Sequence, residues 1–379
     1  MNFNVLVFAF NWQTGIFIIF CLCAFIQIFY FLFFYLRLAI FTPIAKDNVQ
    51  THPVSVVICA RDEAANIATN LPGVLIQEYA STHEVIVVND NSFDDTKYVL
   101  EEFKKTFKQL SVVELSQEAK MIPGKKFPLA VGIKSAKHEI VLLTDADCVP
   151  ATEHWIESMQ NTYGKDTEIV LGYSPFHKMK GFFNKMVRWE CFHTALQYLS
   201  YALAGMPYMG VGRNLSYKKT IFFRHKGFSS HHNIPGGDDD LFINKAATKS
   251  NTSININPNS FTLSKPAENW KQWTKQKKRH YTTGKYYKKI HQFLLGTYAS
   301  SQFFFYPLLI SSMLLYNWKY GLIIFGSRFL LQFFVYYKTM RKLNEKDLLP
   351  YFLLFDIGMF FYYLTFARSL VKKPEQHWK

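Results

Sequence analysis

"VVNDNSFDDT", residues 87–96, closes an apolar run with three aspartates and two asparagines. Asn, Asp and Ser are the residues of turns, so taken alone the stretch is a polar turn after a buried strand. Its meaning depends on what stands on either side. "VSVVICA", residues 54–60, is a short β-branched run of the kind a buried parallel strand requires, and "ARDE" follows it. "EIVLLTDAD" starts another strand at Glu139 and ends in two further aspartates. Residues 62–77 are helix-friendly with an interruption at Pro72, 96–108 carry Val99, Leu100 and Phe103 at helical spacing, and 127–137 form another helix. "LSVVEL" (110–115) and residues 167–173 complete the strands. Strand and helix in alternation predict an α/β domain with a mainly parallel sheet covered on both faces.

In such sheets ligands bind beyond the carboxyl ends of the strands. The three acidic turns all fall at that edge. One acidic turn is a turn, but clustered carboxylates repel unless something cationic joins them, so three at one edge form a site. Asp145 and Asp147 are its sharpest part. Mg²⁺ and Mn²⁺ take hard oxygen ligands and bind through one or two carboxylates plus substrate phosphates. Asp-x-Asp is common by chance; at the end of an apolar strand it becomes evidence.

The two ends of the chain are different in kind. Aromatic residues make up 17% of the 379 residues, with 37 Phe and 22 Tyr, and they gather in residues 3–41 and 293–366. Residues 15–35 hold one Gln and no charge, long enough to span a bilayer. A signal peptide would have a shorter apolar stretch of ~7–15 residues after a basic start, so a retained anchor is expected. Residues 293–316, 320–337 and 349–370 are further candidates, the first two joined by "NWK". The third contains Asp356, an intramembrane acid that is either functional or shielded between helices.

The formal net charge is +15, and cations such as Arg37, Lys46, Lys285, Lys289 and Arg341 sit beside the apolar segments. That placement favours a membrane surface over nucleic acid. The loop 338–346 and the tail after residue 367 are both basic and both belong on the cytoplasmic side. One span between them would separate them, so one candidate is expected to be re-entrant or interfacial. Five cysteines without a CxxC pair suit a reduced, cytosol-facing protein. The expected organisation is an anchor over 1–41, a cytosolic catalytic domain over 42–290, and a C-terminal membrane region over 291–379 with two or three spans.

The order "VSVVICARDE", "VVNDNSFDDT", "GKKFPLAVGIKSA", "LLTDADC", "GGDDDL" and "QKKRH" resembles membrane-bound family 2 glycosyltransferases with a GT-A nucleotide-binding fold, over about residues 52 to 283. The resemblance implies roles. Asp62 and Glu63 would lie near the nucleotide base, Asp90 would hold the nucleoside, and Lys125 and Lys126 would be a basic pair by the nucleotide. Asp145 would stand by the ribose and sugar, and Asp147 would bind the metal bridging the diphosphate. Asp239 would be the catalytic base. Gln276, Arg279 and His280 would meet diphosphate and acceptor, with His280 in place of the family's Trp and Asn89 in place of a second Asp.

Other readings are plainer. Asp238 and Asp240 suit helix capping. Residues 209–219 contain GxG but do not lead from a strand into a helix, so they are no dinucleotide fingerprint; they are expected to bring backbone close to the acceptor path. Residues 181–204 form a helix of the membrane interface or of the core. The expected activity is inverting, metal-dependent transfer (Mg²⁺ or Mn²⁺), of hexosyltransferase type, from a nucleotide-diphospho-sugar, UDP-linked by default. The acceptor would be lipid-linked or a glycan near the bilayer, the setting cell-envelope glycan synthesis, and the place the cytoplasmic membrane. A processive polysaccharide synthase and a non-catalytic nucleotide-sugar-binding membrane protein are the alternatives.

Overall fold

A computed structural model describes residues 11–43, 51–116 and 124–367; Lys46 and the basic tail after residue 367 lie outside them. The chain begins with a helix, α1 (Trp12–Tyr30), which passes through a π turn (Phe31–Tyr35) into α2 (Leu36–Ile40). Then come β1 (Val54–Ala60), α3 (Ala64–Leu75), β2 (His83–Asp90), α4 (Thr96–Thr106), β3 (Leu110–Leu115), α5 (Lys126–Ser135) and β4 (Ile140–Asp145). The alternation is the expected one, with one difference at Pro72. The helix α3 runs through it, and the Pro72 carbonyl accepts the Ile76 N–H. Leu71, Val74 and Leu75 are buried on either side, which offsets the one lost donor.

The second half supplies β5 (Cys148–Pro150), α6 (Trp155–Gln160), β6 (Ile169–Leu171), α7 (Phe182–Leu203), β7 (Leu215–Lys218), α8 (Lys219–Arg224), α9 (Asp240–Ala246), β8 (Thr252–Ile254), β9 (Thr262–Ser264) and α10 (Trp270–Tyr281). Seven strands form one sheet in the order β3-β2-β1-β4-β7-β6-β8, and β5 pairs with β9 apart from it. The first four strands run parallel, while β7 is antiparallel to both its neighbours. This strand lies in residues 209–219, the segment whose GxG precedes a strand instead of following one.

Period two explains how the sheet is covered. Val56, Ile58, Val85, Val87 and Leu142 face a core made with α3, α4 and α6. Val57, Cys59, Ile86, Val88, Val141 and Leu143 face the other way, into a core shared with α5, α7, α9 and the apolar terminal helices. α5 lies close to that face: a methyl group on Gly132 would stand 2.5 Å from Val57 Cγ1. The terminal helices therefore share one face of the sheet's own core.

Three stretches are long and apolar enough to cross a membrane: Trp12–Ile40, Lys289–Lys342 and Lys346–Phe366. The second folds back on itself. α11 (Lys289–Ser312) and a π turn lead to Asn317, whose backbone is extended, and α12 (Trp318–Lys342) follows. Arg328 Nη2 donates to Gln302 Oε1 at 3.3 Å, although in a straight helix these residues would be about 39 Å apart. The reversal occurs within the "NWK" segment. α13 (Phe352–Phe366) then runs along the α/β domain. Phe355, near its start, stacks on Phe182 and Trp189 of α7, and Phe366, at its end, packs on Trp273 and Tyr281 of α10. Both ends of α13 thus pack on helices of the α/β domain.

Polar side chains bind these apolar helices together. Arg328 and Asp356 are fully buried and pair at 2.8 Å. Gln27 of α1, Gln302 and Tyr306 of α11 and Gln332 of α12 all hydrogen-bond to this pair.

Candidate active site

The register sets the site. Cys59 of β1 lies opposite Asp145 of β4, and Ala60 lies opposite Asn89 of β2, so the three strands end nearly flush. The loops that leave them are tied to one another. Asp62 adopts a left-handed backbone (φ 53°), and its Oδ1 accepts the Phe93 N–H at 2.7 Å. Asp94 accepts the Ala64 N–H at 3.0 Å, and the Glu63 N–H donates to Thr96 Oγ1 at 2.9 Å. "NDNSFDDT" is therefore both a turn and a wall: its Asp94 and Thr96 fix the loop that carries Asp62 and Glu63. Asp90 is buried near Arg61 (3.8 Å) and accepts from Asn91. Asn89 points the other way, as strand alternation demands, and donates to Glu114 on β3.

Lys125 is the centre of the acidic edge. Its Nζ donates to Asp145 Oδ1 at 2.7 Å and lies 3.2 Å from Asp238 Oδ2. Burial works against its charge, but Asp145, Asp238 and Asp239 hold the ammonium well above its ordinary range. Burial would likewise raise the Asp145 carboxyl; Lys125, Arg213 and Arg279 outweigh it and keep the group ionised. Asp147 is exposed. Partial loss of water and the adjacent Asp145 charge push its carboxyl up. Lys126 takes a different place from the one its resemblance implied. It is buried, and its ammonium donates to the carbonyls of Ile234 and Gly236. It holds the loop before the third acidic run instead of lining the opening.

That loop turns on Gly236 and Gly237, both at φ near 80° (81° and 82°), which a residue with a Cβ adopts only under strain. It delivers three acids with separate duties. Asp238 pairs with Lys125. Asp240 accepts from Thr283 and from the Tyr287 hydroxyl at 2.7 Å. Asp239 is the N-cap of α9, a duty expected of its neighbours: one oxygen accepts the Asp240 N–H and the other the Gly212 N–H at 2.8 Å. Burial first, then the charges of Asp238 and Asp240, push its carboxyl up to about 7. It stays partly open, so an approaching hydroxyl can reach it.

α10 forms another wall. Asn269 caps it, and Trp273 and Lys277, one turn apart, are buried. Lys277 pairs with Glu190 of α7. Arg279 and His280 are exposed and Gln276 is half-buried; the Arg279 charge reaches Asp145. Arg213, absent from the motif reading, also enters the site, from the turn before β7. Its signal was present in "GVGRNLSYKK", a lone Arg between glycine and a strand, but nothing in that pattern says which way the strand runs.

A divalent cation fits this edge in one manner. Among the described residues no group of three His, Cys, Asp or Glu could hold a metal by itself. Asp145 and Asp147 offer the hard carboxylate oxygens that Mg²⁺ or Mn²⁺ prefers, and such ions complete their shell with phosphate and water.

A mostly parallel sheet whose acidic loops converge at one edge, with a short second sheet beside it, is the GT-A arrangement of nucleotide-sugar transferases. Residues 55–230 match the family model "Glycosyl transferase family 2", and the chain carries a domain of that family. It is 32% identical over 106 residues to a poly-beta-1,6-N-acetyl-D-glucosamine synthase of Staphylococcus epidermidis, a match spanning 28% of this chain and 24% of that one. It is 24% identical over 244 residues to the probable glycosyltransferase YdaM of Bacillus subtilis, covering 62% of this chain and 56% of that one. The chain thus spans about a quarter to about half of the curated relatives named here. The fold is shared with the mannosyltransferase PcManGT of Pyrobaculum calidifontis, solved in complex with GDP-Man and Mn²⁺. The TM-score is 0.59 at 16% identity, over 92% of this chain and 99% of that one.

Proposed function

We propose that this protein transfers a sugar, with inversion, from a nucleoside-diphospho-sugar to a lipid-linked or membrane-proximal acceptor in glycan synthesis at the cytoplasmic membrane. The observation that carries the reading is Asp239: a carboxylate raised to about 7, aimed by Gly212 and set beside Asp145, Lys125 and Asp238. Asp239 takes the proton of the acceptor hydroxyl as its oxygen attacks the anomeric carbon. The bond to the diphosphate breaks on the opposite side, and one displacement inverts the centre. Asp62, Glu63 and Asp90 seat the nucleoside. Asp147, with Asp145 beside it, would hold a divalent ion, which supplies charge neutralisation to the departing diphosphate. Arg279 adds a cation there, and Gln276 and His280 face the acceptor side.

The acceptor assignment rests on α13. The helix that walls the site through α10 is itself part of the apolar region, so an acceptor leaving the bilayer meets the site directly. In this reading residues 42–290 face the cytosol, where nucleotide sugars are made, with 1–41 as the anchor and 291–379 as the membrane region. The basic loop 338–346 lies on the same side. Lys342 donates to the carbonyls of Leu38 and Phe41, and Glu345 pairs with Arg188. A polymer-forming synthase is the second reading, favoured by the similarity to the S. epidermidis enzyme, and product length separates the two.

The test is nucleotide release by purified protein in bilayer discs against a panel of UDP- and GDP-sugars. Release of one nucleoside diphosphate is expected, falling with EDTA and returning with Mn²⁺ or Mg²⁺; release indifferent to EDTA removes the metal from the scheme. The profile of kcat/KM against pH is expected to fall as pH drops below about 7, because Asp239 must be ionised to accept a proton. A flat profile from pH 6 to 8 speaks against Asp239 as the base.

A further inference from the structure

Arg213 lies in the turn before β7 and is held by five partners. Its carbonyl accepts from Thr144 Oγ1 (3.0 Å), just before Asp145, and from Thr262 Oγ1 (2.8 Å) on β9. Its guanidinium lies over the Phe176 ring at 4.5 Å, and Nη1 donates to Ser264 Oγ at 2.6 Å. Nη2 reaches Cys191 Sγ only at 3.8 Å. Ser264 is the register partner of Cys148, the residue after Asp147. The cation is therefore anchored beside the Asp145–Asp147 turn.

No carboxylate of the described residues comes within ion-pairing distance of Arg213, while Lys125, Lys277, Arg188 and Arg328 each have one. A half-buried guanidinium that feels the charges of Asp145 and Asp147 but has no carboxylate in contact is costly, since it gives up water for one hydroxyl, a thiol and a ring face. Five N–H donors in a planar fork match a phosphate, and most of them are not used by Ser264 and Cys191. The same turn sends the Gly212 N–H to Asp239. One short segment thus aims the base and, at the next residue, holds a cation with no carboxylate in contact.

We propose that Arg213 binds a phosphate group of a substrate, either the diphosphate of the sugar donor or a phosphate on the acceptor. The proposal rests on the glycosyl-transfer reading and adds a residue to it. Arg213 is fixed by neutral partners because its charge is reserved for an anion that arrives with the substrate.

The experiment compares wild type with Arg213→Ala, Arg213→Gln and Arg213→Lys in bilayer discs. Calorimetric titrations use UDP, GDP, uridine and guanosine, and then inorganic phosphate with the preferred nucleotide already bound. If the donor supplies the phosphate, the Ala and Gln variants lose at least tenfold in affinity for the nucleoside diphosphate, the Lys variant loses less, and nucleoside binding is unchanged. If the acceptor supplies it, nucleotide affinity holds and phosphate binding to the nucleotide-loaded protein is lost. Unchanged binding of both, with only a lower unfolding temperature, overturns the proposal and makes Arg213 a prop for β9. Should Arg213→Ala fail to fold, the Gln and Lys variants carry the comparison. A wild-type protein that binds no nucleoside diphosphate overturns the transfer reading instead; the phosphate titration, run without nucleotide, then decides for or against Arg213.

Discussion

Asp239→Asn is expected to lower sugar transfer by about 10²–10⁴-fold, the usual worth of a positioned general base. The substitution keeps one oxygen, which can still cap α9 through the Asp240 N–H, while the Gly212 N–H loses its acceptor. What it removes is the ability to take a proton. Stability should move the other way. The folded-state value of Asp239 is raised above that of the unfolded chain, so its contribution is fully present at pH below the ordinary carboxyl range and is lost as pH rises through about 7. At pH 8 the native protein carries the repulsion among Asp238, Asp239 and Asp240 in full, and Asn relieves it. Loss of turnover with a higher unfolding temperature at pH 8 is the expected pair. Turnover within about twofold of wild type would put the base elsewhere.

The second large effect belongs to the pair Arg328–Asp356. Asp356→Ala leaves a fully buried guanidinium without its carboxylate and should cost about 3–5 kcal/mol. Gln302, Gln332 and Tyr306 all lose an acceptor in the same step, so α11, α12 and α13 loosen together. Replacing both members, Arg328→Met with Asp356→Leu, should recover the part of the loss that comes from the unpaired guanidinium, while Gln27, Gln302, Gln332 and Tyr306 stay without these partners. Denaturant unfolding in detergent measures both. A single substitution costing under about 1 kcal/mol would show that the pair is not what joins the helices. Sequence alone leaves Asp356 as either a working or a shielded acid; its saturated hydrogen bonds place it with the shielded ones.

The parallel half of the sheet was legible because local pattern and burial agree there. Residues 54–60 and 110–115 are the strands β1 and β3 to the residue. Acidic turns after β1, β2 and β4 gather at one edge, since a parallel sheet sends its carboxyl ends there. The antiparallel half was less legible. β6 spans three residues and β7 four, too short for alternation to show, and β7 is the strand that positions Arg213. Lys126 shows a different limit. Adjacent lysines look alike in sequence, yet helix geometry turns Lys125 to the acids and buries Lys126 against carbonyls. The separate duties of Asp238, Asp239 and Asp240 depend on partners far along the chain, at Lys125, Gly212 and Thr283, which no local pattern contains.

The packing of Phe366 on Trp273 and Tyr281 has a consequence for the birth of the protein. Domains emerge from the ribosome in order, and earlier parts fold first. β1 to β4 can pair while the rest is still being made, but α10 lacks its apolar support until α13 has been translated and has come to rest against it. Gln276, Arg279 and His280, carried by α10, therefore reach their folded positions last. A nascent chain still leaving the ribosome can already hold the acidic edge of β1, β2 and β4 but not the α10 wall, so on the proposed reading activity should appear only once α13 has been made and has packed.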